Sequence, residues 1–521
     1  MSGRFRYSAA ALLLLASFIF TPAIASDAED GRRIYRDGVL PSGEPLTAIV
    51  AGDVPVLGTQ FSCQSCHAQS GMGAAEGTYI VPPIAGQFLF AESPQPARPA
   101  YDNDSLATLL REGITPGGRQ IDDVLMPRYR LDDEEVAALG TFLEGLSSEW
   151  SPGVDDTHIR FATVITDDVS DAERDAVLAV LNTFAEEKNR NTRLESERWD
   201  RGSTPASRLP TVHRDWVLEV WELTGAADTW GAQLEQRYRD NPVFALLSGL
   251  SHQSWGPVGR FCERNEIPCL FPGADVTDAE QDDFYTLYYS RGLELEADLI
   301  AKHLAEQPVS NVVQVYCASG PEQAAARLRA KLEGSSVAVR DIAFDCEKSL
   351  PKDEIGKLLS APNDTAAVLW LDATQIAAMR EDSPSARIYA SATLLGGLFE
   401  SLSGSAFVAH PYRLPGKSDP ALARFKVWAK TRGIELTSPR RQAEAFFACL
   451  AMKDAIAHIG RFFIRDFALD TLDHAQSIVV YLSYYPRPTL GPRQRFVNKG
   501  GYVLPVINGQ ADTKDAAWIL P

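Results

Sequence analysis

The chain has 521 residues, 45% of them hydrophobic and 23% charged, a globular composition at a length that suggests two or three domains. A formal net charge of −19 argues against nucleic acid or anionic lipid as a partner, because phosphate would be repelled.

Residues 1–25 come first in chain order. Arg4 and Arg6 precede an apolar run from Ala9 to Phe20, and Ala23-Ile24-Ala25 supplies the small-x-small pattern that signal peptidase cuts. The run is short for a membrane-spanning helix, and no later segment is apolar enough to span. The reading is a cleavable export signal, a mature start near Ser26 and a periplasmic location. A long stretch from Asp37 to Ser62 then leads into Cys63-Gln64-Ser65-Cys66-His67. Two thiols spaced by two residues and followed by histidine read as covalent haem attachment. The sulfurs can add to the two vinyl groups on one porphyrin edge, and the adjacent imidazole becomes the proximal ligand. A redox dithiol or half of a zinc site would leave His67 unexplained, and no second close Cys/His pair follows at zinc-ribbon spacing. Haem c is attached outside the cytoplasmic membrane, so signal and motif support each other.

A sixth ligand is expected from the opposite face of the haem. Met72 is too near His67 to swing round the porphyrin, and Met379 and Met452 sit in later helical or strand patterns. Met126 remains, with enough chain between it and His67 to wrap the haem. It stands in Leu125-Met126-Pro127-Arg128-Tyr129, where Pro127 stiffens an extended loop. Acidic residues from Asp132 to Glu135 suit a helix N-terminus, and Val136, Leu139, Phe142 and Leu143 recur at helical spacing. A His/Met iron has no open position for oxygen or peroxide, and its methionine favours Fe(II), so the site moves single electrons.

This segment, 26–147, resembles the class I c-type cytochromes. Gly31 to Tyr35 looks like that family's first helix, with a glycine permitting close crossing by the terminal helix and an aromatic packed against it. Pro82-Pro83-Ile84-Ala85-Gly86 resembles its Pro-x-Leu-x-Gly loop, which implies that the Pro82 carbonyl accepts a hydrogen bond from His67 Nδ1. The resemblance implies an all-α domain carrying one covalently attached haem c. The stretch from Asp37 to Ser62 departs from the family, in which it is much shorter.

Residues 148–157 are polar, carry Pro152-Gly153 and Asp155-Asp156, and read as a linker. From 158 onward strand and helix patterns alternate. Strands are predicted at 159–165, 216–221, 243–247, 267–271, 312–316, 337–344 and 366–371, with helices at 171–188, 229–238, 258–265, 293–305, 321–332 and 352–359. Such alternation implies parallel sheets flanked by helices, and its length implies two lobes.

Order and loop chemistry resemble the type I periplasmic binding proteins of the branched-chain amino-acid transport family. The residues that carry this are Ser248-Gly249-Leu250-Ser251, Pro272-Gly273-Ala274-Asp275, Tyr288-Tyr289-Ser290-Arg291-Gly292-Leu293 and the stretch from Gly491 to Tyr502, read as closing strands. The analogy implies one lobe of about 158–288 plus 406–480 and another of about 289–405 plus 481–521. In open α/β sheets ligands sit beyond the carboxyl ends of the strands, so the interlobe cleft is the expected small-molecule site, with Ser251, His252, Ser254, Ala274, Tyr289 and Asp372 as candidate lining. His252 reads more readily as a satisfied hydrogen-bonder than as a ligand contact. No acidic pair for a ligand ammonium stands out.

Five cysteines remain. Cys317 and Cys346 fall at the carboxyl ends of strands joined by one helix and are expected to form a disulfide; Cys262 and Cys269 are expected to join a helix end to the next strand; Cys449 reads as an unpaired core residue. The alternative is that all five are free. The functional reading is a non-enzymatic electron carrier passing electrons from a periplasmic dehydrogenase to the respiratory chain, with the second domain recognising a small molecule or redox partner protein. The alternative is a solute receptor with an accessory cytochrome.

Overall fold

The computed structural model describes residues 22–521 apart from 77–78, 95–96, 123, 203–213, 281, 319, 346–350, 380–385, 403, 417–419, 475–483 and 492. The apolar run of the expected export signal and Cys346 therefore lie outside the described residues. The chain divides into two compact units, Met1–Glu149 and Trp150–Pro521.

In the first unit helix Pro22–Asp37 crosses the terminal helix Asp133–Gly145 so closely that a Cβ on Gly31 would lie 2.2 Å from the Ala138 carbonyl oxygen. The Tyr35 and Phe142 rings pack beside the crossing, 5.4 Å apart. The terminal helix begins at Asp132, whose side chain accepts from Glu135 N–H while the Glu135 carboxylate accepts from Asp132 N–H. This reciprocal cap satisfies donors that a helix start leaves orphaned.

The unit is not the all-α domain expected. The long segment before the attachment motif folds into a hairpin of strands Thr47–Val50 and Val54–Leu57, and its inner strand also pairs antiparallel with Arg128–Tyr129. Two smaller hairpins join Ala74–Glu76 to Tyr79–Val81 and Ser93–Pro94 to Ala97–Arg98. Alternation explains the first of them: Leu46 and Ala48 are both fully buried in the unit's core, and a strand that buries every second residue must pair its backbone groups.

The second unit holds two sheets. In the first, the path runs Gly273–Val276, Leu250–Ser254, His158–Thr166, Ala245–Leu247, Cys269–Leu270, Thr286–Leu287, and Asp215–Leu223 also pairs with His158–Thr166; every pairing is parallel. His158–Thr166 is buried continuously from Phe161, as a strand covered on both faces should be. The second sheet runs Ala338–Phe344, Asn311–Cys317, Thr365–Trp370, Arg387–Ser391, Ser405–His410 in parallel and ends with Tyr502–Ile507 and Gln510–Ala511 antiparallel. Two expectations change here. Ser405–His410 lies in the second sheet beside Arg387–Ser391, so the lobe boundary set at 405/406 moves past His410. The closing strand is Tyr502–Ile507, whereas Gly491 to Tyr502 contributes isolated bridges such as Gly491 with Gln494.

The expected linker is built into the second unit from Trp150 onward. Trp150 Nε1 donates to Arg461 O at 3.1 Å and Ser151 N–H donates to Phe463 O at 2.9 Å. The Arg465 guanidinium donates to the carbonyls of Pro152, Val243 and Phe244. Gly153, at φ 90°, rests on the backbone leading into strand Ala245–Leu247 so tightly that a Cβ would lie 2.2 Å from Phe244 N. In the first unit, Ser147 Oγ donates to Ser70 O at 2.7 Å.

The cysteine pattern is partly corrected. Cys262 and Cys269 are free thiols, buried side by side and sharing a hydrogen bond. Helix Gly256–Arg264 and strand Cys269–Leu270 do bring them together, but burial pushes the Cys262 thiol well up and holds it protonated. Cys449 is free and buried. Cys317 faces Phe344 on the neighbouring strand, but the pairing expected with Cys346 falls outside the described residues.

Candidate functional site

A cavity of about 560 Å³ in the first unit is walled by Cys63, Cys66, His67, Pro82, Met126 and Tyr129 together with a set of leucines. That volume is within the ~300–1,000 Å³ usual for cofactor sites. The attachment motif forms a short helix, Cys63–His67, ending at Ala68 with φ 64°. A side chain at positive φ is unfavourable, and the Tyr35 hydroxyl, buried under the first helix, steadies this turn by donating to Ala68 O at 2.8 Å.

His67 Nδ1 lies 3.1 Å from the Pro82 carbonyl oxygen. A carbonyl can only accept, so Nδ1 carries the proton and Nε2 keeps its lone pair. Burial, opposed by that hydrogen bond, lowers the imidazole to about 4, which keeps it neutral. Gly73 makes the contact possible. At φ 77° it packs on the chain before Pro82, and a Cβ there would lie 2.2 Å from Val81 O and 2.9 Å from Pro82 C.

Across the cavity, the Met126 loop is clamped from three sides. Ala48 and Ile49 pair with Tyr129 and Arg128, Arg128 Nη1 donates to Met126 O at 2.5 Å while Nη2 donates to Ile121 O, and the Tyr129 hydroxyl donates to Phe61 O at 3.0 Å. Two thiols, a neutral imidazole and a thioether around an apolar cavity are a donor set that fits haem c. Cys63, Cys66 and His67 do not gather into a group that could hold a bare metal ion; among the described residues no group of three or more His, Cys, Asp or Glu does.

Sequence reasoning missed Arg98, Arg119 and Tyr101, which share the cavity wall. The Arg98 guanidinium is fixed by donating to the carbonyls of Phe88, Leu89, Ala91 and Pro99, and it lies 4.9 Å from the Tyr101 ring centre. An arginine held mainly by backbone carbonyls brings positive charge to a cavity suited to an anionic cofactor edge.

In the second unit the six candidate cleft residues are occupied within the protein. Ser251 Oγ accepts from Gln253 N–H at 3.1 Å; Ser254 Oγ donates to Asp278 at 3.0 Å; Ala274 sits in register with Ser251; Tyr289 OH donates to Glu444 O at 2.6 Å; and Asp372 caps helix Ala373–Ala377. His252 lies between two carboxylates, with Nδ1 2.7 Å from Asp275 and Nε2 3.1 Å from Glu173. Burial disfavours its charge, but those hydrogen bonds and charges prevail and raise it to about 10. The strands Leu250–Ser254 and Gly273–Val276 bring four of the six together, and Asp372 serves its own helix. The sequence reading missed Arg440, Arg441, Glu444 and Glu296. For Arg440, Arg441 and Glu444 the available signal was a charged cluster opening a helix, Pro439–Ile459, that then runs apolar from Ala445 to Met452.

The two units thus belong to two classes. Residues 57–147 match the cytochrome c family, which implies covalently bound haem c. The rest has the type I periplasmic binding protein fold. Among solved structures, a leucine-binding protein from Thermotoga maritima aligns over 70% of this chain and 99% of its own, with 15% identity and a TM-score of 0.50. A branched-chain amino-acid transporter structure from Thermus thermophilus with bound valine aligns over 70% and 97%, with 10% identity and a TM-score of 0.51. Such identities establish fold and nothing about solute. No curated protein matches the chain. No described helix is long and apolar enough to cross a membrane.

Proposed function

We propose that the chain is an exported, periplasmic electron carrier holding one haem c through Cys63 and Cys66, with His67 and Met126 as axial ligands. The observation that carries this reading is the single cavity that gathers both thiols, the oriented imidazole and the clamped methionine. When bound, the haem supplies one-electron chemistry; with both axial positions taken it offers no site for oxygen or peroxide. The protein's part is to hold His67 neutral and aimed through Pro82, to fix Met126 by strand pairing and Arg128, and to exclude water with the leucine wall.

Electrons would pass from a periplasmic dehydrogenase towards the respiratory chain, and the second unit would recognise a small molecule or a partner without catalysing anything. Its binding-protein fold also supports a second reading, a solute receptor with an accessory cytochrome. The Cys317–Cys346 disulfide belongs to this proposal, since export would allow it to form.

Met126→Ala tests the ligation. The ferrous variant is expected to bind carbon monoxide readily while the unsubstituted protein does not; a variant that still excludes carbon monoxide sinks the assignment.

A further inference from the structure

The interlobe cleft of the second unit carries a cation of its own. Helix Pro439–Ile459 packs against helix Asp171–Gly202 on the first-sheet side and sends Arg440 across to the other lobe. The Arg440 guanidinium lies 5.3 Å from the ring centre of Tyr412, with Nη1 3.4 Å from Glu444 Oε1 and Nη2 3.8 Å from Asp275 Oδ1. Tyr485 OH donates to the same Glu444 oxygen at 2.9 Å. Tyr412 is tied into the second lobe through a 2.5 Å hydrogen bond with Thr393 Oγ1, which in turn donates to Glu296 Oε1 at 2.7 Å. Glu296 is fully buried.

A tyrosine face on one side and two carboxylates, Asp275 and Glu444, on the other are the chemistry that holds an organic cation. Beside them Arg441 is buried against Asp275, Glu444 and Glu173, and Gly320 of the second lobe sits so close to the first that a Cβ would lie 2.7 Å from His252 O.

We propose that Arg440 is a built-in occupant of the cleft: it fills a subsite suited to a guanidinium-type cation and holds the lobes closed with no solute present. The cleft then closes on the chain's own side chain, and the candidate residues His252, beside Asp275 and Gly320, and Tyr289, on Glu444, serve that closed state. This goes beyond the electron-carrier reading, which the haem spectrum reports separately in each experiment below.

The test uses full-length protein. Arg440→Ala should unfold at lower temperature than the unsubstituted protein, and millimolar ethylguanidinium should restore it saturably while leaving the unsubstituted protein unchanged. Carboxylate labelling read by mass spectrometry should find Asp275 and Glu444 protected in the solute-free unsubstituted protein and labelled several-fold faster in the variant. Equal responses of both proteins to ethylguanidinium, or equal labelling, overturn the proposal. Rapid labelling of Glu444 in the solute-free unsubstituted protein overturns it without recourse to any variant, and Arg440→Lys, which keeps the charge, should fall between the two.

Discussion

Glu296 and Gly73 each decide something that no neighbour can replace. Burial raises the Glu296 carboxyl to about 7, against hydrogen bonds from Ser391 and Thr393 and the charge of Arg440 that lower it. The unfolded chain titrates near 4.5, so the folded state binds the extra proton between those values, and this group's contribution to stability falls as pH rises from about 4.5 through about 7. Glu296→Gln removes that loss. Relative to the unsubstituted protein, the variant should gain ~2–3 kcal/mol between pH 5 and pH 8 in urea unfolding. A stability difference that does not change with pH would contradict the assignment. For Gly73, both the positive φ and the backbone of Val81 and Pro82 forbid a side chain. Gly73→Ala should destabilise the first unit by ~1–3 kcal/mol and shift the haem absorption as Pro82 is pushed from His67, whereas the same change at Gly52, which has open space around it, should cost only the strain of its φ.

At the scale of elements, the hairpin of Thr47–Val50 and Val54–Leu57 is the part of the haem unit with most leverage on the ligand loop. Ile49→Pro removes a donor from the strand that pairs with Arg128–Tyr129, so the Met126 loop should open more often. The ferrous variant should bind carbon monoxide more than the unsubstituted protein and less than Met126→Ala; no change would mean that Arg128 alone holds the loop. This element also marks the limit of what the sequence made legible. The terminal helix could be read from Asp132–Glu135 and the apolar spacing behind it, and the strand–helix alternation from Ile159 to Trp370 could be read because buried parallel strands are uninterrupted apolar runs. The hairpin could not, since its strands are too short to show a period and one of their partners, Arg128–Tyr129, lies beyond the attachment motif and far along the chain. The cleft candidates followed loop position alone. Sequence order does not reveal that Arg440 and Arg441 come to face Asp275 from a helix that forms much later in the chain.

At the scale of the whole molecule, each unit has its own buried core: Ile34, Leu106, Leu139 and Leu143 in the first, and in the second one cluster that runs through both sheets, from Ile159 and Phe161 to Val313 and Leu369, with a smaller cluster in each lobe. A protein ending at Glu149 should therefore keep its haem spectrum and reduction potential. The complementary piece from Trp150 should fold without haem, keep its Trp150 contacts, and turn over no substrate; turnover by that piece would add an enzyme to the proposed function. The strand pairing of Ala48 with Tyr129 also bears on biogenesis. It closes a ring of chain around the attachment motif, because the two paired positions lie far apart in sequence on either side of Cys63–His67. Contacts so widely separated form late, after local helices and turns. If Cys63 and Cys66 hold the proposed haem, they would meet it while the methionine side is still open, and ring closure would then seal the site. In refolding of the haem-attached chain, methionine ligation should be the last phase and should slow in step with any weakening of the hairpin, so that the order of assembly follows from the path of the chain.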